Sequence, residues 1–590
     1  MEDRRVRRKG AGITMGRLTP ESGARPLRIV IDPVRLRSDG APPSPLRQAL
    51  GLLRFAAWLA LGSSTATAQE AAPAPVVDTI LVERSDPFPP EVAESSFLYR
   101  GMNSIHVVTS ESVIRRELLF EKGHPLDSSL VAESERNLRR LRLFREVAFD
   151  TLDLDGRLGV RIRTRDGWSL KPKFKIGAAS DGTLTATLGV NETNLLGTGN
   201  QAYVAYDKQV DRDGLNASAS FSRPFGSAID LRGNYAGLSD GRNGNWFVGL
   251  PLRSVRAPFG LEHNGLAADQ DVIRYRAGAE ERDSTLYRRE ALLLALDATR
   301  ALSAGSRGFV RAGVHGELRK ESYRLVFDSV AAIPDSSYGM IGIFGEAQRT
   351  RFWTVERLNG FGEEDVDLSS RVRISVNIAS ASLGYARGGV GPGIAVATGA
   401  VIGGGRGYVW GALDANALWS SAGLDSARVL ATASAGWKPA PDHATVFQVQ
   451  GGLLDGTPPG SEFDLGYTSA PRSWEPHSFV GTRGIWGTLE HRWFKFDGVL
   501  QLADIALAAF VDYGGAWYDD QDARFGGNLG FGLRSGSSLS SVATTGRLDV
   551  AWRFGDGVER GDSFVVSLGA GFVFPRRSVP AISYRAEAPS

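Results

Sequence analysis

The chain has no cysteine in its 590 residues, which excludes a disulfide framework, a thiol nucleophile and any cysteine-ligated metal. Histidine is scarce: the seven residues are scattered and none forms an H-E-x-x-H pattern. No phosphate-cradling loop and no other cofactor motif is present. No apolar run approaches the ~18 residues of a membrane-spanning helix, so none is expected. The mean hydropathy of -0.15 is too polar for a helical membrane protein. It does not exclude a β-barrel, whose lumen and loops are polar. Gly237-Leu238-Ser239-Asp240-Gly241 matches G-x-S-x-G, but it falls in a turn between strands and not at a strand-to-helix elbow. Enzyme activity is not expected.

Glycine, by contrast, is abundant. Its 71 residues are roughly 12% of the chain, against about 7% usually, and they follow no collagen-like period. That level suits many tight turns and crowded strand faces. Residues Ala49–Leu61 form a short apolar run preceded by Arg47 and followed by Ala66-Thr67-Ala68. The pattern is that of a signal peptide cleaved before Gln69, and Arg54 interrupts it too early for a spanning helix. Residues 1–68 are therefore expected to be a presequence, with the signal peptide at 49–68. They carry 12 Lys+Arg and 5 Asp+Glu, so the whole chain's +2 becomes -5 without them. The basic balance lies in the presequence, and nothing argues for nucleic acid.

After an Ala/Pro linker (69–76), Val77–Val82 reads as a strand. Ser110 is placed to cap a helix ended by Gly123, and a second helix spans about Ser128 to Leu143. Val147–Leu154 and Leu158–Thr164 follow as strands joined at Asp155-Gly156. The β-α-α-β-β order over 77–166 describes a compact α+β domain. From Leu170 the pattern becomes continuous β. Leu184, Ala186, Leu188 and Val190 alternate with threonines, and Val372, Ile374, Val376 and Ile378 alternate with arginines and polar residues. The clearest segments come last: Phe479–Phe494, Ala503–Tyr518, Gly526–Arg534, Thr545–Phe554 and Ser563–Phe574. Repeated period-two alternation between short turns describes a barrel wall with one face in lipid. A soluble β-sandwich gives a similar pattern.

The α+β unit resembles a POTRA domain, through Gly123, the Asn137-Leu138 to Leu143-Phe144 run and Val147. The turn Asn194-Leu195-Leu196-Gly197-Thr198-Gly199, Phe510-Val511-Asp512-Tyr513-Gly514 and five strands after Arg472 resemble the BamA/TamA outer-membrane assembly family. The resemblance implies a mainly β fold: a 16-stranded transmembrane antiparallel β-barrel at 167–574, preceded by one small α+β POTRA domain. It also implies an outer-membrane location, with the POTRA domain in the periplasm. Residues 575–590 depart from the pattern, since such a barrel usually ends on an aromatic residue, and read as a loose tail. Unfolded outer-membrane or secreted proteins would be the clients, and accessory periplasmic proteins are possible partners. The rival readings are a two-partner-type secretion pore and a passive diffusion channel.

The family carries an Arg-Gly-aromatic motif on a loop folded into the lumen, and Arg472-Ser473-Trp474 stands at that place. A guanidinium in a narrow polar lumen needs a carboxylate. Strand alternation puts Asp512 on the face shared by Phe510 and Gly514, so Arg472 is expected to meet Asp512, with Glu490 as second partner. The alternative is a solvated Arg472, with Asp512 paired to a neighbouring lumen arginine. Ser473 replaces the family's glycine, and a left-handed backbone there would be strained. The resemblance also implies a weak seam between the first and last strands. Lys171 and Phe174 would lie on one side, Phe572 and Phe574 on the other, with Pro172, Gly569 and Gly571 weakening the ladder. An ordinary closed barrel is the alternative.

Overall fold

The computed structural model describes residues 75–570, apart from 179–183, 210, 276–283, 326–332, 334–335, 386, 457, 467–469, 500–502, 538–545 and 557–563. The expected presequence and signal peptide, residues 69–74 of the linker, Phe572, Phe574 and the 575–590 tail lie outside the described residues.

The N-terminal module is a three-stranded sheet with Arg157–Asp166 in the middle, parallel to Val77–Ser85 and antiparallel to Phe144–Leu154. Asp155 and Gly156 both have positive φ, as the tight turn between the antiparallel strands requires. Leu138, Val113 and Ile114 are buried against Val160 and Ile162 of the central strand. The helix Ser128–Leu141 is capped by Asp127, whose side chain accepts from the Ser129 amide. The helix expected from Ser110 is shorter, spanning only Glu111–Arg115, and Ser110 makes no side-chain cap bond. Its expected second half is diverted because the Leu119 amide donates to Ser134 Oγ at 2.9 Å. The Pro87–Val108 connection forms two further helices, Pro90–Ser95 and Phe97–Ile105. Pro75 and Val76, expected in the linker, bond instead to Leu126 and pair with Pro125.

Among the described residues, twenty antiparallel strands, from Leu170–Ala178 to Phe564–Ala570, form one sheet whose order returns from the last strand to the first. Sixteen were expected, so the count is corrected upward. Sixteen strands between Leu170 and Phe574 would take about 25 residues each with their loops, whereas the structure uses about 20. Connections shrink to two residues at Ser306-Arg307, Ser421-Ala422 and Pro441-Asp442. The wall alternates as the sequence does. In Ser336–Arg349, Ile341 and Ile343 are exposed while Met340 and Phe344 are buried.

Two connections fold inward. One is 350–369, containing the paired strands Phe352–Glu356 and Glu363–Asp367; the other is 456–482, containing Phe463–Leu465 paired with Phe479–Gly481. The expected strand Phe479–Phe494 is thereby divided, because its first three residues join the loop and the wall strand begins at Arg483.

Candidate functional site: a charged network in the lumen

Wall alternation brings a set of charges to one level of the interior. Glu490 and Arg492 lie on Arg483–Val499, and Phe510 and Asp512 on Ala503–Trp517. Asn528 and Arg534 come from Gly526–Ser537, and Arg547 and Asp549 from Gly546–Gly555. The 456–482 loop lowers Arg472 among them. Arg472 is 2% exposed, and Glu490 and Asp512 are fully buried.

The geometry is a fork. Arg472 Nε and Nη2 donate to the two Asp512 oxygens at 2.7 and 2.9 Å, and its backbone amide donates to the same carboxylate at 3.0 Å. Nη1 donates to Glu490 at 2.6 Å. The guanidinium carbon sits 4.0 Å from the Phe510 ring centroid, a cation–π arrangement. Burial would lower the Arg472 pKa, but the charges of Asp512 and Glu490 hold it above the ordinary value. Both expected partners are thus brought to Arg472.

Sequence reasoning did not assign the rest of the network. Glu490 also accepts from Arg492 at 2.7 Å and from Arg534 at 2.8 and 3.0 Å. Arg534 reaches Asp549 as well, and Asn528 donates to Asp512 at 3.1 Å. The available signal was strand parity, which puts Arg492 and Glu490 on one face.

Trp474 anchors the loop. Its ring is buried with Phe479 and Leu465 against Ala516, and its Nε1 donates to the Gly527 carbonyl at 3.1 Å. Ser473 lies outside the left-handed region, so the strain anticipated for a serine does not arise. Its carbonyl accepts from Arg553 Nε at 2.5 Å. A Cβ built on Gly526 would stand 2.4 Å from the Trp474 ring and 2.5 Å from Phe479. Gly526→Val is therefore expected to unseat the loop, at about 1–3 kcal/mol for overpacking. Faster proteolysis within 456–482 would register the change.

The loop has a second, titratable fastening. His477 lies between Asp464 at 2.6 Å and Asp211 at 2.9 Å, with Tyr275 stacked 4.0 Å away. Burial pulls its pKa down, but the hydrogen bonds and charges of the two aspartates outweigh this and hold it at about 9. A histidine whose folded pKa is raised adds stability that is complete below its ordinary 6.5 and lost as pH rises through about 9. Protection of the loop from protease should fall between those pH values, and His477→Gln should flatten that profile.

Of the expected seam residues, Phe174 is 73% exposed, and Lys171 Nζ is buried without a hydrogen-bond partner. The first and last strands are neighbours in the strand order. The module is fastened beside this position. Asp166 accepts from the Thr109 amide and hydroxyl at 2.7 and 2.8 Å, and Asn194 donates to the same hydroxyl at 2.8 Å. Among the described residues no acidic or histidine cluster suits a metal ion, and no helix is long and apolar enough to cross a membrane.

Fold and site together define a β-barrel whose lumen holds an inserted, charge-paired loop. No family model matches the chain. A 136-residue stretch is 31% identical to the outer membrane protein assembly factor BamA of Neisseria meningitidis serogroup B, covering 22% of this chain and 17% of that protein. The chain thus matches about a sixth of the length of this curated relative. Among solved structures it is similar to CdiB from Escherichia coli, at 12% identity over 89% of this chain and 96% of that one, with a TM-score of 0.42. It is also similar to BamA from Haemophilus ducreyi lacking POTRA domains 1–3, at 12% identity over 85% and 84%, with a TM-score of 0.33. Over the matched stretch the chain is similar to a BamA-type outer-membrane assembly factor, in line with the BamA/TamA resemblance of its motifs.

Proposed function

We propose that this protein is an outer-membrane barrel that inserts or translocates other proteins, with its N-terminal module acting as a single periplasmic POTRA domain. The observation that carries the reading is Arg472, delivered by an inserted loop and forked onto Asp512 inside the lumen. The outward-facing apolar side chains, such as Ile341, Ile343, Leu529 and Phe531, support a lipid-facing wall. Clients would be unfolded outer-membrane or secreted polypeptides, met by β-augmentation at the exposed edge of Val77–Ser85 and by the seam between the first and last strands. Arg472, Trp474, Asp512 and Glu490 would hold the loop in its working position. Accessory periplasmic proteins would dock on the module.

Outer-membrane proteomics after depletion tests this, with wild type or Arg472→Ala supplied in trans. Loss of many barrel proteins, unrescued by Arg472→Ala, is the expected result. Loss of one secreted species with barrels intact would replace assembly by a dedicated secretion pore. An unchanged outer membrane would overturn the proposal.

A further inference from the structure

The 350–369 connection joins two neighbouring wall strands, Ser336–Arg349 and Ser370–Ala379, a step that two residues accomplish elsewhere in this barrel. Its apolar side chains are not solvated. Leu358, Val366 and Leu368 are at most 1% exposed and pack on inward-facing Tyr408, Ala444 and Ala506. Phe361 lies against Gly536, where a built Cβ would stand 2.3 Å from its ring. Gly536 belongs to a strand seven places further round the order than Ser370–Ala379. The hairpin therefore crosses the lumen, over a wall kept small where it rests.

Its tip and its module-facing side are both fastened by charge. At the tip, Glu364 accepts from the Asn359 and Gly360 amides, each at 2.7 Å, which fixes the turn. Arg492 Nη1 then donates to the Leu358 and Asn359 carbonyls at 2.9 and 3.1 Å, while its Nε donates to Glu490. One arginine thus joins the hairpin to the carboxylate that also holds Arg472. Along its side, Arg139 of the module helix forks onto Asp365, mid-strand, at 2.7 and 3.0 Å and lies 3.0 Å from Glu363. Arg136, one turn earlier, covers the Phe352 ring at 4.7 Å.

We propose that residues 350–369 are a plug that closes the lumen from the module side, and that the helix Ser128–Leu141 controls its release. The plug's partner is the module itself. An unfolded polypeptide arriving there would displace the Arg139 fork and loosen the hairpin, whose tip pulls on the Arg492–Glu490 pair. This deepens the reading of the chain as a protein-translocating barrel and rests on it for the identity of the trigger. The Arg139–Asp365 fork is partly exposed, whereas the Leu358 end is fully buried, so opening begins at the module.

The test is single-channel conductance of the purified full chain in planar bilayers. Asp365→Arg places two guanidiniums face to face and is expected to raise the open time at least tenfold. Conductance equal to wild type in a folded Asp365→Arg protein would overturn the plug. The absence of native cysteine gives a second readout. Arg139→Cys/Asp365→Cys, bridged by a short reducible bis-thiol crosslinker, should stay closed until reductant is added. Equal opening before and after reduction would also overturn it. Client export in cells separates this from the parent reading. Openings that respond while every client is exported normally would keep the plug and remove the translocation role. Unresponsive openings with an Arg472→Ala export defect would do the reverse.

Discussion

Arg472→Ala is expected to release the 456–482 loop from the lumen and to destabilise the barrel by about 3–5 kcal/mol, the range for removing one partner of a buried ion pair. The loss falls mainly on Asp512. Glu490 keeps Arg492 and Arg534, but Asp512 retains only the Asn528 amide among the side-chain donors described here. Its carboxylate is fully buried, so water cannot replace the guanidinium without opening the site. Arg472→Lys should recover less than half of the loss, because an ammonium keeps the charge but cannot fork onto both oxygens. Arg472→Met/Asp512→Leu should cost less than Arg472→Ala, since it removes both charges together. Urea midpoints in detergent and proteolysis of the loop measure these differences. Should Arg472→Ala unfold at the wild-type midpoint with its loop protected, the fork would be incidental, and Trp474 and His477 would hold the loop without it.

How far this site was legible follows from the period of a strand. Parity places Asp512 beside Phe510 and opposite Val511, so an inward carboxylate could be read directly, and an arginine on an inserted loop needed one. The same parity marks Arg492, Arg534 and Asp549, but it cannot say which of several inward charges stand at one height. Height depends on strand register and on tilt around the barrel, which no single segment contains. Strand number failed for another reason. Sixteen came with the resemblance, and turns as short as Pro441-Asp442 leave room for more strands than that in the same length of chain. The 350–369 hairpin was hidden most completely. Phe352 to Glu356 alternates like a wall strand, and Asn359-Gly360 is a turn signal that any hairpin carries. Only the small residues opposite, at Ala444, Ala506 and Gly536, betray where it rests, and they are far apart in sequence.

Glu490→Gln is expected to be more damaging than Arg472→Ala, at the upper end of the same ~3–5 kcal/mol range. Glu490 is the hub: Arg472, Arg492 and Arg534 all donate to it. With Arg547 the cluster holds four arginines and three carboxylates, Glu490, Asp512 and Asp549. Glutamine keeps the shape but leaves four arginines facing two carboxylates, and its amide hydrogens meet donors where acceptors are needed. Both inserted segments should loosen at once, since Arg472 carries the loop and Arg492 the hairpin tip. Removing one guanidinium ought to offset this. Glu490→Gln/Arg534→Met restores the native excess of one positive charge at similar volume, and is expected to regain at least half of the lost stability. Unfolding midpoints of the two variants decide the point. Recovery would mean that charge balance governs the cluster. Without it, the three-way geometry at Glu490 would be what holds the lumen closed, and no other arrangement of the remaining charges could substitute for it.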